Sequence, residues 1–203
     1  MNEQLLRLTA FANTESEDST KKYLERYWLN MNELTFWEDK KLTIFSENFK
    51  SLPDKLFKDD FKSIVMKGGL IFVEEDYNIL RECMKTCGDK NFVIIEDYNE
   101  SSPPHKSGPS LRFRYPVSAL WNELKIHDGI CYELFERPVR NYFVFGDSGL
   151  WGKYVANDYH YPVDILGYSS GIAEIIGNRF LVSSGDMQDL QRGVPELLKK
   201  KPN

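Results

Sequence analysis

The sequence predicts an α+β fold: a single domain over residues 1–203 in which helices flank a mostly antiparallel sheet. Segments with helical spacing of apolar residues collect mainly towards the front of the chain, whereas short apolar runs of strand length follow one another in the second half. Hydrophobic residues make up 41% of the 203 residues and charged residues 28%, proportions that are typical of a globular domain.

The front half of the chain predicts three helices, a hairpin and two strands. The helices show apolar side chains at helical spacing behind acidic, hydroxyl or proline residues. An aromatic-rich stretch with a charged centre predicts the hairpin, and apolar runs predict the strands. In chain order, these elements are a helix at 16–32, a hairpin at 34–49, a helix from Pro53 to Gly68, a strand at 69–73, a helix from Asp76 to Gly88 and a strand at 91–95.

Residues 99–110 predict a surface loop between the two halves. They contain three prolines, four serines and one glycine in twelve residues, a composition typical of loops. Beyond the loop, apolar runs of strand length predominate. The predicted elements there are a short helix at 116–125, strands at 130–135, 141–145, 154–156 and 163–168, a short helix at 170–178, a strand at 180–182 and a helix at 186–200.

The charge distribution disfavours direct binding of nucleic acid. The net charge is −5, and residues 1–100 hold 20 Asp and Glu against 14 Lys and Arg, a net of −6; residues 101–203 hold 11 against 12. Nucleic-acid phosphates require a basic surface, which this chain does not predict. An acidic front half instead suits a basic protein partner.

Cysteine usage and hydropathy predict a cytoplasmic protein that does not enter membranes. The chain has three cysteines, an odd and sparse count that does not indicate a disulfide framework. We find no basic segment followed by an apolar run at the N-terminus, and no run near the ~20 apolar residues that span a bilayer. No coiled-coil seam is visible either, so we expect a monomer.

The string most suggestive of catalysis is Gly146-Asp147-Ser148-Gly149. Gly-Asp-Ser-Gly surrounds the nucleophile of trypsin-like serine proteases, where a histidine and a carboxylate must activate the serine. Neither His105 nor His127, the histidines upstream, lies in a motif of that family. We therefore expect a glycine-rich turn after a strand, and the alternative is a hydrolase that uses Ser148 with His127 or His160.

Metal binding is disfavoured by the spacing of the cysteines. Cys83 and Cys87 lie on one face of a predicted helix, but zinc usually requires four ligands at short paired spacings. No histidine or further cysteine is near them in sequence. We expect two small residues at a buried helix seam, and neither a metal nor another cofactor.

Two acidic clusters, Glu74-Glu75-Asp76 and Glu96-Asp97, each follow a predicted strand. If those strands are neighbours, both clusters lie at the same end of the sheet. Carboxylates gathered there suit an acid–base pair, a divalent-metal site or an acidic contact surface. The sequence leaves these alternatives, and ordinary solvated loop ends, open.

Two stretches resemble the signatures of one family. The first runs from Leu52-Pro53 through a predicted amphipathic helix to Lys67-Gly68-Gly69. The second spans 142–158, where a strand ends in Phe145-Gly146, two residues lead to Gly149, and a strand with small and acidic residues follows. Together they resemble the SUKH superfamily, in which a Leu-Pro helix ends in an Asn-Gly-Gly-like turn and a later strand ends in Phe-Gly.

This resemblance implies a non-enzymatic scaffold, since many members are immunity proteins that bind and neutralise bacterial polymorphic toxins, often nucleases. We therefore expect no catalytic residues and, as partner, a basic toxin domain whose substrate-binding surface attracts carboxylates. The residues expected at the contact are Glu74, Glu75, Asp76, Glu96, Asp97 and, as an aromatic anchor, Trp151. Besides the hydrolase, an intracellular regulatory scaffold is an alternative.

Overall fold

A six-stranded sheet forms the centre of the protein in the computed structural model, which describes residues 17–47, 56–67, 71–97, 111–124, 141–156 and 163–180. The helices are α1 (Glu17–Tyr27), α2 (Met31–Ile44), α3 (Glu74–Thr86) and α4 (Ala173–Ile176), the last preceded by a 3₁₀ turn at Ser170–Ile172. The strands are β1 (Phe61–Lys67), β2 (Asn91–Glu96), β3 (Arg112–Pro116), β4 (Tyr142–Gly146), β5 (Trp151–Ala156) and β6 (Val163–Ser169). Residues 121–124 add a helical turn.

The strands follow the order β1-β6-β5-β4-β2-β3, and each neighbouring pair is antiparallel. Helices flank the sheet, so the predicted α+β class is confirmed. Among the described residues, the structure contains no helix that is long and apolar enough to cross a membrane.

Both faces of the sheet are covered. Successive side chains of a strand point to opposite faces, so that on β4 Tyr142 and Val144 belong to one apolar cluster while Phe143 and Phe145 belong to another. The first face packs against α1, α3 and residues 172–180. The second face packs against α2 and the segment that contains Leu56.

The β3 edge of the sheet is closed by the chain between α1 and α2. Trp28 forms a bridge with Phe113, the Leu29 amide donates to the Arg112 carbonyl (3.2 Å), and the Arg112 Nε donates to the Leu29 carbonyl (3.1 Å). This edge contact divides the helix predicted at 16–32 into the end of α1 and the start of α2.

Three front-half predictions are wrong where the structure describes them. The predicted hairpin is helix α2, because Trp37 and Ile44, two helical turns apart, are both buried against the second face. The helix predicted from Pro53 contains strand β1 at 61–67, whose apolar residues alternate between the two faces. Residues 71–73 form no strand and lead into α3, whose N-cap is Val73 rather than Asp76.

The remaining predictions divide into confirmed elements and those outside the described residues. Strands β2, β4 and β6, helix α3 and the short helix after Ser170 form where the sequence predicts them, and β5 begins at residue 151, before the predicted 154–156. Of the helix predicted at 116–125, only residues 121–124 are helical among those described, and β3 was not predicted. Outside the described residues lie the loop at 99–110, the strand at 130–135, nearly all of the strand at 180–182 and the helix at 186–200.

Close packing over β6 predicts that one added methyl group lowers the stability of the fold. In Gly167→Ala the new Cβ overlaps the Phe57 ring, and we expect the free energy of unfolding to fall by about 2 kcal/mol. Gly171→Ala is the control, because its Cβ meets nothing nearer than the Ser169 Oγ at 3.8 Å. Urea unfolding of both variants measures the difference, and equal stabilities contradict the packing described for Phe57.

Candidate functional site

A buried ion pair lies on the first face of the sheet. The Lys153 Nζ on β5 is 2.5 Å from the Asp164 Oδ2 on β6, and only 4% and 3% of these side chains is exposed. Lys153 also donates to the Ile71 carbonyl (2.5 Å) and lies 4.8 Å from the centre of the Phe72 ring. The pair thereby ties the middle of the sheet to the segment that leads into α3.

A third charge, Asp76 in the first turn of α3, lies in the field of this pair. Burial raises the pKa of Asp76, and the attraction of Lys153 opposes that rise. Burial also raises the pKa of Asp164 to about 6, against the attraction of Lys153 and with the repulsion of Asp76 adding to it. The Asp164 Oδ1 is buried and has no hydrogen-bond partner among the described residues.

The other carboxylates expected at a contact differ in exposure. Glu74 and Glu75 are exposed in the first turn of α3. Glu96 is buried and its Oε2 accepts the Leu111 amide (2.8 Å), whereas the half-buried Asp97 accepts the Tyr154 hydroxyl (2.7 Å). Glu96 therefore joins β2 to the chain before β3, where it stabilises the fold.

The two acidic clusters approach the sheet from opposite faces. Lys153 and Tyr154 are consecutive residues of β5, so their side chains point to opposite faces. Asp76 interacts with Lys153 on the first face, and Asp97 binds Tyr154 on the second. Across the part of the chain that the structure describes, no group of three or more His, Cys, Asp or Glu side chains is arranged to hold a metal ion.

Trp151, expected as an aromatic anchor at the surface, is instead fully buried. Its indole Nε1 donates to the Asp89 Oδ2 at 2.8 Å. The side chain belongs to the core of the first face. It therefore stabilises the fold and presents no surface to a partner.

The Gly-Asp-Ser-Gly string forms a glycine-rich turn between β4 and β5, as the sequence predicts. The Asp147 carboxylate accepts the Lys90 and Asn91 amides (3.0 and 3.1 Å), while the Asp89 carboxylate accepts the Ser148 amide (2.6 Å). Two acidic residues thus join this turn to the turn before β2. Burial raises the pKa of Asp89, and hydrogen bonds from Ser148 and Trp151 oppose the rise.

Glycine is required at two positions of the turn. A Cβ on Gly146 would overlap the Asp89 carboxylate, and Gly149 has a φ of 72°, which L side chains rarely adopt. The Ser148 Oγ accepts the Leu150 amide at 3.3 Å. The three histidines, candidates for a base, lie outside the described residues.

Cys83 occupies a buried helix seam, as the sequence predicts. Its Sγ donates to the Ile175 carbonyl (3.4 Å), which joins α3 to α4. Cys87 is partly buried, and burial raises the pKa of its thiol to about 11. A raised pKa leaves little thiolate, the nucleophilic form of cysteine, at neutral pH.

Sequence reasoning missed Lys153, Asp164 and Asp89. A signal for the first two was present, since each is a charged residue inside an apolar strand of a sheet with both faces covered. Such residues are almost never fully buried without a partner, which predicts that they pair with each other.

Residues 142–156 of the second SUKH-like stretch form β4, the glycine-rich turn and β5. In the first, residues 61–67 form β1 rather than the end of a helix. No family model matches the chain, and no curated protein and no solved structure matches it either.

The bridge between the two turns predicts that Asp89 is needed for stability. In Asp89→Ala the amide of Ser148 and the indole of Trp151 lose their acceptor, and we expect the free energy of unfolding to fall by about 3 kcal/mol. Ser148→Ala keeps both of those donors and is expected to cost about 1 kcal/mol. Denaturant unfolding measures both values, and a Ser148 variant as unstable as the Asp89 variant argues against this assignment.

The buried pair predicts strong coupling between its two residues. Lys153→Met leaves an unpaired buried carboxylate, which we expect to lower the free energy of unfolding by about 4 kcal/mol. The double variant Lys153→Met/Asp164→Leu removes that charge and is expected within about 1 kcal/mol of the wild type. A double variant as unstable as the sum of the two single ones is incompatible with this pairing.

The pH dependence of stability gives a second readout of the same pair. Because the pKa of Asp164 is raised in the folded state, the native protein holds a proton that the unfolded chain releases. The contribution of this proton to the free energy of unfolding is lost as pH rises through about 6. Lys153→Met raises that pKa further, so we expect the loss of stability to extend to higher pH. The double variant lacks the carboxyl and is expected to show neither effect.

Proposed function

We propose that this chain is a non-enzymatic binding protein of the cytoplasm, an immunity protein that neutralises a bacterial toxin by covering its active site or substrate-entry surface. The observation that carries the proposal is the surface at the start of α3. There Val73, 46% exposed, adjoins the exposed carboxylates of Glu74 and Glu75. We call these three residues the α3 surface.

The chemistry of the α3 surface suits a basic partner. A nuclease presents cations to the phosphates of its substrate, and two exposed carboxylates attract such a surface during association. The Val73 side chain, next to them, is an apolar group that loses its contact with water when a partner covers it. Charge would thus contribute mainly to the rate of encounter and apolar contact to the lifetime of the complex.

The buried contacts beneath the α3 surface support the same proposal. The Lys153 Nζ binds the Ile71 carbonyl, two residues before Val73, and the ion pair with Asp164 fixes that lysine. A surface that is held in place before binding loses less conformational entropy when the partner arrives. The buried pair would therefore act on binding indirectly, by positioning the segment that carries Val73.

The turn around Ser148 favours binding over hydrolysis. The Ser148 amide donates to Asp89 in the turn before β2, and the Ser148 hydroxyl oxygen accepts the Leu150 amide at the end of its own turn. The Asp89 carboxylate also accepts the indole N–H of the buried Trp151, so it stabilises the core. A regulatory scaffold that binds an endogenous protein would use the same α3 surface, and the identity of the partner separates the two functions.

The partner is identified by affinity capture with the tagged chain from its native host, at low and at high salt, followed by mass spectrometry. We expect one stoichiometric partner with a basic C-terminal domain, released at high salt. That domain, expressed alone in a test strain, should stop growth, and co-expression of this chain should restore it. Capture of a metabolic or regulatory protein without toxicity instead identifies a scaffold.

Neutralising the α3 surface should weaken the complex. For Glu74→Gln/Glu75→Gln we expect affinity for the identified toxin domain to fall on the order of tenfold, mostly through slower association, and to depend less on salt. The matched control is Glu25→Gln/Asp39→Asn, which removes two exposed carboxylates from α1 and α2. Equal affinities for the two double variants, measured by surface plasmon resonance, would place the contact elsewhere.

A further inference from the structure

The two edges of the sheet differ. The β3 edge is covered at Arg112 and Phe113 by Trp28 and Leu29, whereas beyond Phe61 no described residue pairs with the outer side of β1. All seven residues of β1 pair with β6 in one continuous register, without a bulge, and none of them is proline. Proteins usually block an edge of this kind with a bulge, a proline, charged side chains or a covering segment, and of these devices β1 itself carries only the lysines Lys62 and Lys67.

The outward groups of β1 follow from the hydrogen-bond alternation of an antiparallel pair. The Ser170 amide donates to the Asp60 carbonyl (3.3 Å), which sets the phase of the ladder next to it. Residues 62, 64 and 66 therefore bond to β6, and residues 61, 63, 65 and 67 direct their amides and carbonyls away from it. The Phe61 amide bonds to the Lys58 carbonyl, so the central unpaired groups are those of Ser63 and Val65.

The side chains of β1 are less covered than those of the inner strands. Ile64, Val65 and Met66 are only partly buried, although they belong to the two apolar clusters. The corresponding apolar residues of β2, β4 and β5 are buried. A further strand along β1 would therefore cover apolar side chains on both faces as well as the exposed backbone groups of Ser63.

We propose that β1 pairs antiparallel with β1 of a second copy of this chain, about a two-fold axis at Ile64. In this register each Ser63 lies opposite Val65 of the other copy, so that all four outward groups at the centre of each strand are paired. Ile64 lies opposite Ile64, and Lys62 lies opposite Met66, so no two lysines face each other. The sequence of β1 is thus complementary to itself, as a two-fold interface requires.

The covered β3 edge limits this association to a dimer. Pairing consumes the β1 edge of both copies, and at each outer end of the joined sheet Trp28 and Leu29 cover the start of β3, at Arg112 and Phe113. The contact is small, so we expect a weak dimer with a dissociation constant on the order of 100 µM. This differs from the monomer expected from the sequence, in which residues 61–67 were assigned to a helix and no edge was visible.

Sedimentation velocity of the purified chain over a concentration series tests the proposal. We expect the mass to rise from one chain to two. Ser63→Pro removes the outward amide while leaving the bonds to β6 intact, because an edge strand tolerates proline where its amide faces outward. This variant should stay monomeric, whereas the matched control Ser63→Ala, which keeps the amide, should dimerise as the wild type does.

Thermal unfolding of both Ser63 variants verifies that β1 is still formed. As an independent test of the register, Ile64→Cys should form a disulfide-linked dimer on mild oxidation, and wild type oxidised in parallel controls for the native cysteines. Ser63→Pro added to Ile64→Cys should abolish the link. A wild type that is monomeric at about 1 mM overturns the proposal, as do growth beyond two copies and equal masses for the folded proline and alanine variants. None of these measurements involves the toxin.

Discussion

The covering of both faces of the sheet is the constraint on which the rest of the structure depends. With helices on either side, a charged residue in a middle strand has no access to water and must find its partner within the protein. Lys153 and Asp164 meet this condition on adjacent strands, and Asp89, buried in the turn before β2, meets the same requirement by accepting hydrogen bonds from Ser148 and Trp151. Lys153 and Asp164 lie on consecutive strands, whereas Asp89 joins segments that are distant in sequence. The constraint that makes these contacts costly to break therefore also fixes how the elements pack.

The buried pair connects the centre of the sheet with the surface that we propose for binding. Lys153 binds both Asp164 and the carbonyl of Ile71. Two residues after Ile71 lies the exposed Val73, and α3 begins at the next residue. The carboxylates at the start of α3 thus divide into two groups. Asp76 is partly buried and interacts electrostatically with Lys153, whereas Glu74 and Glu75 are exposed to solvent.

The two edge strands of the sheet differ in whether their outward backbone groups are covered. One edge is closed by the short segment between α1 and α2, which also ends the first helix. The other presents the outward amides and carbonyls of Ser63 and Val65, which pair with none of the described residues. The surface that we propose for binding, at the start of α3, and the edge that we propose for self-association, on β1, are different elements, so a dimer would present two copies of the α3 surface.

The sequence by itself determined the α+β class, strands β2, β4, β5 and β6, helix α3 and the turn around Ser148, because each depends on a local run of apolar residues, a helical spacing or a glycine string. It did not determine that residues 31–44 form a helix or that residues 61–67 form a strand, since Trp37 and Val65 acquire their neighbours only when the second face is covered. The burial of Trp151 and the pairing of Lys153 with Asp164 were likewise decided by tertiary structure. The local sequence around a charged or aromatic residue is the same whether its side chain faces solvent or the core. Its role is set by distant residues: Asp89 lies 62 positions from Trp151, and Ile71 lies 82 positions from Lys153.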